Sequence, residues 1–217
     1  MAQRNLPRGA GEAPAILFVP GLGGSGPSHW QSIWAAEITD SFKVDLGGWD
    51  EPHRNTWINR LNLAIHRAGR PVILVAHSLG CHAVAWWAKF EQSEWGKPVV
   101  GAMLVAPPEV DFFPLDERLS RFAPTPSGEL PFPSILVASR NDPWVGFETA
   151  SVLAKSWGSH LWDAGLAGHL NPESGHGEWS EGREILARLI GRAGRSRYRA
   201  VTSLTQGDWA EGLEYRA

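Results

Sequence analysis

The chain has 217 residues, of which 43% are hydrophobic and 20% are charged. These values predict a single globular domain over residues 1–190, followed by an Arg-rich tail over residues 191–217. The net charge of −3 gives no reason to expect binding to nucleic acid or to an anionic membrane. No apolar stretch approaches the ~20 residues needed to span a bilayer. Because Cys81 is the only cysteine, an intramolecular disulfide is excluded, and we expect a cytoplasmic protein.

Short apolar runs alternate with segments of helical character along most of the chain. The runs interpreted as strands are Ile16–Val19, Phe42–Asp45, Val72–Ala76, Val99–Val105, Ile135–Ala138 and His160–Trp162. The segments predicted to form helices are His29–Thr39, Thr56–Ala68, Leu79–Phe90, Val145–Trp157 and Glu178–Ile190. Four of the runs are continuously apolar, which is typical of parallel strands buried on both faces. The pattern predicts an α/β fold with helices around a parallel sheet.

A glycine-rich loop follows the first predicted strand. It reads Pro20-Gly21-Leu22-Gly23-Gly24-Ser25-Gly26, and its glycines allow the backbone to approach a substrate closely. The loop lacks the G-x-x-x-x-G-K-[ST] pattern and fits G-x-G-x-x-G only with a shift, so we do not expect a nucleotide site. Gly21 and His29 are instead predicted to line a substrate pocket.

The third apolar run leads directly into a sharp turn at Ser78. The sequence Ala76-His77-Ser78-Leu79-Gly80, followed by a helical segment, is typical of a nucleophile elbow. The residues two before and two after such a serine must be small, as Ala76 and Gly80 are. A buried or capping serine at a strand–helix turn is the alternative. The elbow predicts an acid after a later strand and a histidine after a still later one.

The segment Ala106–Pro133 interrupts the alternation of strands and helices. It contains seven of the 16 prolines and is longer than an ordinary connection. Two interpretations remain open for it: a short lid that walls the pocket, or a surface excursion.

Asp142 follows the fifth predicted strand, at the edge of the sheet where an open α/β fold places its active site. Its position makes it the predicted acid. The alternative role for Asp142 is to cap the helix predicted from Val145. Asp163, at the end of the sixth strand, is a second choice for the acid.

Two histidines lie in the glycine-rich loop after the sixth predicted strand. His169 is the predicted base, 27 residues after Asp142, and His176 is its rival. The predicted oxyanion hole consists of the backbone N–H groups of Leu79 and Leu22. Trp144 and His176 complete the predicted pocket.

Four blocks of sequence carry a resemblance to a known family. They are Phe18-Val19-Pro20-Gly21-Leu22-Gly23-Gly24-Ser25 with His29-Trp30-Gln31-Ser32-Ile33-Trp34, Ala76-His77-Ser78-Leu79-Gly80-Cys81, Asn141-Asp142-Pro143, and Ala167-Gly168-His169-Leu170-Asn171 with Ser174-Gly175-His176-Gly177-Glu178-Trp179-Ser180-Glu181-Gly182. With these blocks the chain resembles the small serine hydrolases of the retinoblastoma-binding protein 9 and YdeN type, in the α/β-hydrolase superfamily. The resemblance implies a truncated sheet of six parallel strands in the order 2-1-3-4-5-6, without a large cap.

The resemblance also implies a catalytic triad of Ser78, Asp142 and His169, which favours His169 over His176. It implies a carboxylesterase-like serine hydrolase that acts through an acyl-serine. The small size of the chain and its short lid predict small esters or activated amides as the substrates. This chemistry requires no metal and no cofactor.

Two further functions remain open at this point. One is a non-catalytic protein-interaction module that has kept the hydrolase fold. The other is an aminopeptidase or amidase, for which Glu109, Asp111 or Glu178 would bind the substrate ammonium group. The sequence does not separate hydrolysis from acyl transfer to another acceptor.

Overall fold

Six parallel strands form one sheet in the order β2-β1-β3-β4-β5-β6. The structure is a computed structural model, and it describes residues 13–91 and 98–191. The strands are β1 (Ala15–Val19), β2 (Ser41–Lys43), β3 (Val72–His77), β4 (Val99–Val105), β5 (Ser134–Ala138) and β6 (His160–Asp163). The predicted fold class and strand order are confirmed.

Helices connect and cover these strands. They are α1 (Trp30–Glu37), α2 (Arg54–Arg67), α3 (Leu79–Glu91), α4 (Phe147–Ser156) and α5 (residues 180–191). All five predicted helices are present, with bounds that agree within two residues. Two short 3-10 helices, Glu117–Phe122 and Pro172–Ser174, were not predicted. Both lie in segments without a periodic apolar pattern.

The sheet is buried on both faces, which explains why its central strands are continuously apolar. Successive side chains of β1 alternate between two core layers: Phe18 packs with α1 and α5, whereas Leu17 packs with α2, α3 and α4. We call these the α1/α5 face and the α2/α3/α4 face. Every residue of β1, β3, β4 and β5 is buried.

Indole N–H groups tie distant loops to this core on both faces. The acceptors are backbone carbonyls: Trp30 donates to Leu170 (2.9 Å), Trp34 to Glu178 (2.9 Å), Trp57 to Gly47 (2.8 Å), Trp86 to Phe122 (2.7 Å) and Trp157 to Pro126 (2.8 Å). A tryptophan thus buries a large apolar area while its single donor satisfies a carbonyl of an irregular segment. These bonds explain part of the high tryptophan content.

The proline-rich segment over residues 106–133 packs on the α2/α3/α4 face. Its first part approaches the carboxyl edge of the sheet, where Pro108 O accepts a hydrogen bond from His82 Nε2 (2.8 Å) and Glu109 N donates to Trp144 O (2.9 Å). Its later part is held by the indoles of Trp86 and Trp157. The segment is therefore a bonded part of the core layer, and its beginning borders the site described next.

The predicted tail, from residue 192 onward, lies outside the described residues. Within residues 13–91 and 98–191, none of the helices has the length and hydropathy required to cross a membrane.

Candidate active site

Ser78 occupies the sharp turn between β3 and α3. Its φ of 52° lies in the left-handed region, which is uncommon for residues other than glycine, and its N–H donates to Val105 O at 2.9 Å. The start of α3 lies against the chain that leaves β1, because a Cβ at Gly80 would stand 2.6 Å from Pro20 O. A larger side chain at position 80 would push the helix away. The predicted elbow geometry is therefore present.

His169 bridges Ser78 and Asp142. Its Nε2 lies 3.0 Å from Ser78 Oγ, and its Nδ1 lies 3.0 Å from each carboxylate oxygen of Asp142. An ionised carboxylate only accepts hydrogen bonds, so this contact assigns the ring proton to Nδ1 and leaves Nε2 free to accept from the serine hydroxyl. The Asp142 side chain is fully buried. The three residues thus form one hydrogen-bonded row.

The alternative role for Asp142, as a helix cap, is wrong. Helix α4 begins at Phe147 with Gly146 as its N-cap, because Pro143 and Trp144 first form a turn. Asp142 Oδ1 accepts a hydrogen bond from Trp144 N at 2.9 Å within that turn. The bond orients the carboxylate toward His169.

The two rival residues lie elsewhere. Asp163 pairs with Arg140, whose Nε and Nη2 lie 2.9 and 2.6 Å from Asp163 Oδ2, and these hydrogen bonds lower the pKa of the carboxyl below its usual range. His176 packs against Trp179 with ring centroids 6.2 Å apart, and its Nδ1 lies 3.3 Å from Ser174 Oγ. His169, and not His176, reaches Ser78.

The glycine-rich loop after β1 lies directly against the serine. A Cβ at Gly21 would stand 2.7 Å from Ser78 Cβ and 3.1 Å from Leu79 N, so only glycine fits there. The Leu79 N–H belongs to the first turn of α3, where backbone donors have no partner within the helix. Leu22 N has no hydrogen-bond acceptor in the described part of the chain. Both predicted oxyanion donors therefore belong to segments that meet at Ser78.

Gln31 anchors the chain that follows this loop, and sequence reasoning did not find it. It is fully buried, its Nε2 donates to Val75 O (3.0 Å) and Val19 O (3.3 Å), and its Oε1 accepts from Ser25 Oγ (2.6 Å). The ends of β1 and β3 are thus joined through one amide group. A polar residue at an inward position of an amphipathic helix was the available signal.

Two polar residues beside Asp142 hold the loop of His169, and they were also missed. Ser139 Oγ accepts from Ala167 N (2.9 Å), and Asn141 Oδ1 accepts from Gly168 N (2.7 Å). Their position after a buried strand was the only signal in the sequence. They fix the two residues that lead into His169.

Aromatic rings surround the His169 imidazole. Trp144 lies 5.4 Å and His77 lies 4.9 Å from it, between ring centroids. His29 packs against His77 at 4.8 Å and caps α1 by accepting a hydrogen bond from Gln31 N. Burial lowers the pKa of His29 to about 4 and that of His77 well below its ordinary value. His29 is thus one ring removed from the His169 imidazole, and its role in the pocket stays a prediction.

Cys81 is a core residue. Its thiol is fully buried and donates to Val105 O at 3.4 Å, and burial raises its pKa. Within the described residues, no three His, Cys, Asp or Glu side chains are grouped as metal ligands would be.

The sheet order, together with the elbow at Ser78, defines an α/β-hydrolase. The serine hydrolase family profile matches residues 16–188, and the chain belongs to that family. No curated protein sequence matches the chain significantly.

Solved structures agree with this assignment. A YdeN-like hydrolase of Pectobacterium atrosepticum is 31% identical, with a TM-score of 0.73 over 82% of this chain and 91% of that one. The YdeN gene product of Bacillus subtilis is 18% identical, with a TM-score of 0.66 over 82% and 99%. Est1E of Butyrivibrio proteoclasticus, solved with bound ferulic acid, is 12% identical, with a TM-score of 0.58 over 83% and 90%. The last two similarities concern the fold alone.

Proposed function

We propose that this serine hydrolase cleaves small carboxylic esters, or activated amides, through an acyl-serine intermediate. The observation that carries the proposal is the position of His169, 3.0 Å from Ser78 Oγ and 3.0 Å from both oxygens of Asp142. A nucleophile within hydrogen-bond reach of a base that a third group orients is the signature of covalent catalysis.

Acylation begins when Ser78 Oγ attacks the substrate carbonyl carbon and its proton passes to His169 Nε2. Asp142 keeps the imidazole in the tautomer that can accept this proton and stabilises the imidazolium that results. The carbonyl oxygen becomes an oxyanion, which the N–H groups of Leu22 and Leu79 stabilise. Losing one such donor costs roughly 100–1000-fold in turnover.

The imidazolium then protonates the departing alcohol, which leaves the acyl group bound to Ser78. Water enters, gives its proton to His169 Nε2 and attacks the acyl carbon. Collapse of the second tetrahedral intermediate releases the carboxylic acid and returns the proton to Ser78 Oγ. Every proton in this cycle is exchanged through one ring nitrogen.

Intact-mass spectrometry after treatment with a fluorophosphonate tests this assignment. The reagent phosphonylates only a serine whose hydroxyl is activated by a base, so we expect one adduct on the wild type and none on Ser78→Ala. His169→Ala should label at least 1000-fold more slowly, since removal of any triad member leaves only the oxyanion hole and binding. Circular dichroism must show that all three proteins are folded.

Labelling that persists in Ser78→Ala would refute the serine assignment. A folded wild type that neither labels nor hydrolyses p-nitrophenyl acetate would favour the interaction-module alternative.

An aminoacyl p-nitrophenyl ester, compared with the acetyl ester, tests the aminopeptidase alternative. Glu109 Oε1 already accepts hydrogen bonds from Asp111 N (2.7 Å) and Phe112 N (3.1 Å), and Asp111 Oδ1 accepts from Thr125 N (2.9 Å). Because Glu109 and Asp111 are engaged in the loop and Glu178 is exposed to solvent, we expect the free amino group to give no gain in kcat/KM. A gain of tenfold or more would favour the aminopeptidase.

A further inference from the structure

His77, the residue before the nucleophile, makes a hydrogen bond that the mechanism above does not use. Its ring is buried, and its Nε2 lies 2.9 Å from the backbone carbonyl oxygen of His169. A carbonyl oxygen only accepts hydrogen bonds, so Nε2 carries the proton, and Nδ1 of the neutral ring is unprotonated. One buried imidazole therefore holds the main chain of the other.

This bond belongs to a set that fixes four consecutive residues. The N–H groups of residues 167 and 168 donate to Ser139 and Asn141, and the carbonyls of residues 169 and 170 accept from His77 and Trp30. Leu170, whose carbonyl is the last of these acceptors, is fully buried and has a φ of 52°. A left-handed leucine persists only where its surroundings determine it. Of the four bonds, the bond from His77 is the one made to His169 itself.

The His77 ring also contacts the imidazole that it anchors. Their centroids are 4.9 Å apart, and the His77 ring is backed by His29 at 4.8 Å and by Trp30 at 5.9 Å. His169 and His29 are thus the titratable groups whose rings face His77. Because burial keeps His77 neutral, it adds no positive charge beside the imidazolium that forms during catalysis.

We propose that His77 is a positioning residue for His169: its Nε2–H holds the His169 carbonyl, and this bond keeps the imidazole on the line between Ser78 Oγ and Asp142. The inference rests on the proposed function, since it assigns His77 a role in the same proton transfer. A displacement of the base by about 1 Å can cost on the order of 100-fold in rate.

Two substitutions separate the donor from the ring. His77→Phe keeps an aromatic ring but leaves the His169 carbonyl without its donor, whereas His77→Gln keeps an amide N–H at a similar reach. His82→Phe is the matched control, because His82 is also a buried imidazole that donates to a carbonyl, Pro108 O at 2.8 Å, and it packs against Trp157. Where His77→Phe does not fold, His77→Met removes the same donor.

The measurement is kcat and KM for p-nitrophenyl acetate, divided by the number of active sites titrated with the fluorophosphonate. Titration separates a misplaced base, which slows every site, from partial unfolding, which removes sites. We expect His77→Phe to lower kcat per titrated site by about 10–100-fold with KM unchanged. His77→Gln should restore it to within about fivefold of the wild type, and His82→Phe should stay within about twofold.

A wild-type kcat per titrated site in His77→Phe would overturn the inference and leave the proposed function intact. So would an equal loss in His77→Phe and His82→Phe, because the effect would then be general to buried histidines. A wild type that never labels would overturn the proposed function first, and the two failures are therefore distinguishable.

Discussion

Hydrogen bonds from indole N–H groups to backbone carbonyls hold different segments on the two faces of the sheet. On the α1/α5 face, the indole of Trp30 donates to Leu170 O, next to His169, and the indole of Trp34 donates to Glu178 O. On the α2/α3/α4 face, the indoles of Trp86 and Trp157 hold the proline-rich segment instead. A similar bond therefore supports the His169 loop on one face and the proline-rich segment on the other.

The difference follows from where each face meets the carboxyl edge of the sheet. The loop of His169 leads from β6 into α5, so the aromatic layer beneath it includes Trp30, Trp34 and Trp179. The first and the last of the sequence blocks that carried the family resemblance thus pack against one another on the α1/α5 face. We expect substitutions there to change activity and stability together, and those on the opposite face to change stability alone.

The largest effect is expected where two carboxylates at neighbouring strand ends are exchanged for amides. Asp142→Asn removes the charge that orients the imidazole and should lower kcat by roughly 1000–10,000-fold. Asp163→Asn weakens the exposed pair with Arg140 and keeps an oxygen for the hydrogen bond from Gly165 N (2.9 Å), so we expect a change below about threefold. Kinetics on p-nitrophenyl acetate, per titrated site, measure both. A comparable loss in the two variants would contradict the assignment of the acid.

An intermediate effect is expected from the matched pair Trp30→Phe and Trp86→Phe. Each leaves a buried carbonyl without its donor, which should cost about 1–3 kcal/mol in the free energy of unfolding. Only Trp30→Phe should also lower kcat per titrated site, by about tenfold, because it releases Leu170 next to His169. Urea denaturation and active-site titration measure the two quantities. Equal activity in the two variants would break the contrast between the faces.

The smallest difference between the two faces is expected for pH, because here the two faces should behave alike. Burial lowers the pKa of His29 on one face and of His82 on the other to about 4, below the ordinary 6.5. The folded state therefore favours the neutral rings. Their contribution to stability is complete above pH 6.5 and is lost as the pH falls from 6.5 to about 4, with a slope of at most about 1.4 kcal/mol per pH unit for each ring.

Two variants remove these titrations while keeping the local bonds. His29→Asn retains an acceptor at the N-cap of α1, and His82→Gln retains a donor for Pro108 O. Urea denaturation between pH 5 and pH 7 should show the pH dependence of the unfolding free energy reduced by one proton in each. An unchanged slope in either variant would mean that its histidine titrates normally in the folded protein.

The strands and the elbow could be predicted because their determinants are local, whereas the strand order was implied only by the family resemblance. Continuous apolar runs identified the buried strands, and the small residues at Ala76 and Gly80 identified a turn that only small side chains allow. The choice between the two candidate histidines could not be made from local sequence. His169 was favoured over His176 only by resemblance, since both lie in the same glycine-rich loop.

The support of the site could not be predicted in the same way. The bonds from His77 and Trp30 to the His169 loop join residues 92 and 140 positions apart, and no periodicity in the sequence encodes such pairs. The start of α4, two residues later than predicted, has a local cause instead. The turn at Pro143 and Trp144 takes up the carboxylate of Asp142 before the helix begins at Phe147.

The distance along the chain between Ser78 and His169, 91 residues, has a consequence for biosynthesis. Ser78 is synthesised before β4, β5 and β6, and His169, its proposed base, follows all three strands in the chain. Because contacts so far apart in the chain form late in folding, we expect a nascent chain to carry an unactivated Ser78 until β6 is in place. Fluorophosphonate labelling of ribosome-bound chains of increasing length would therefore show the length at which β6 joins the sheet and His169 reaches Ser78.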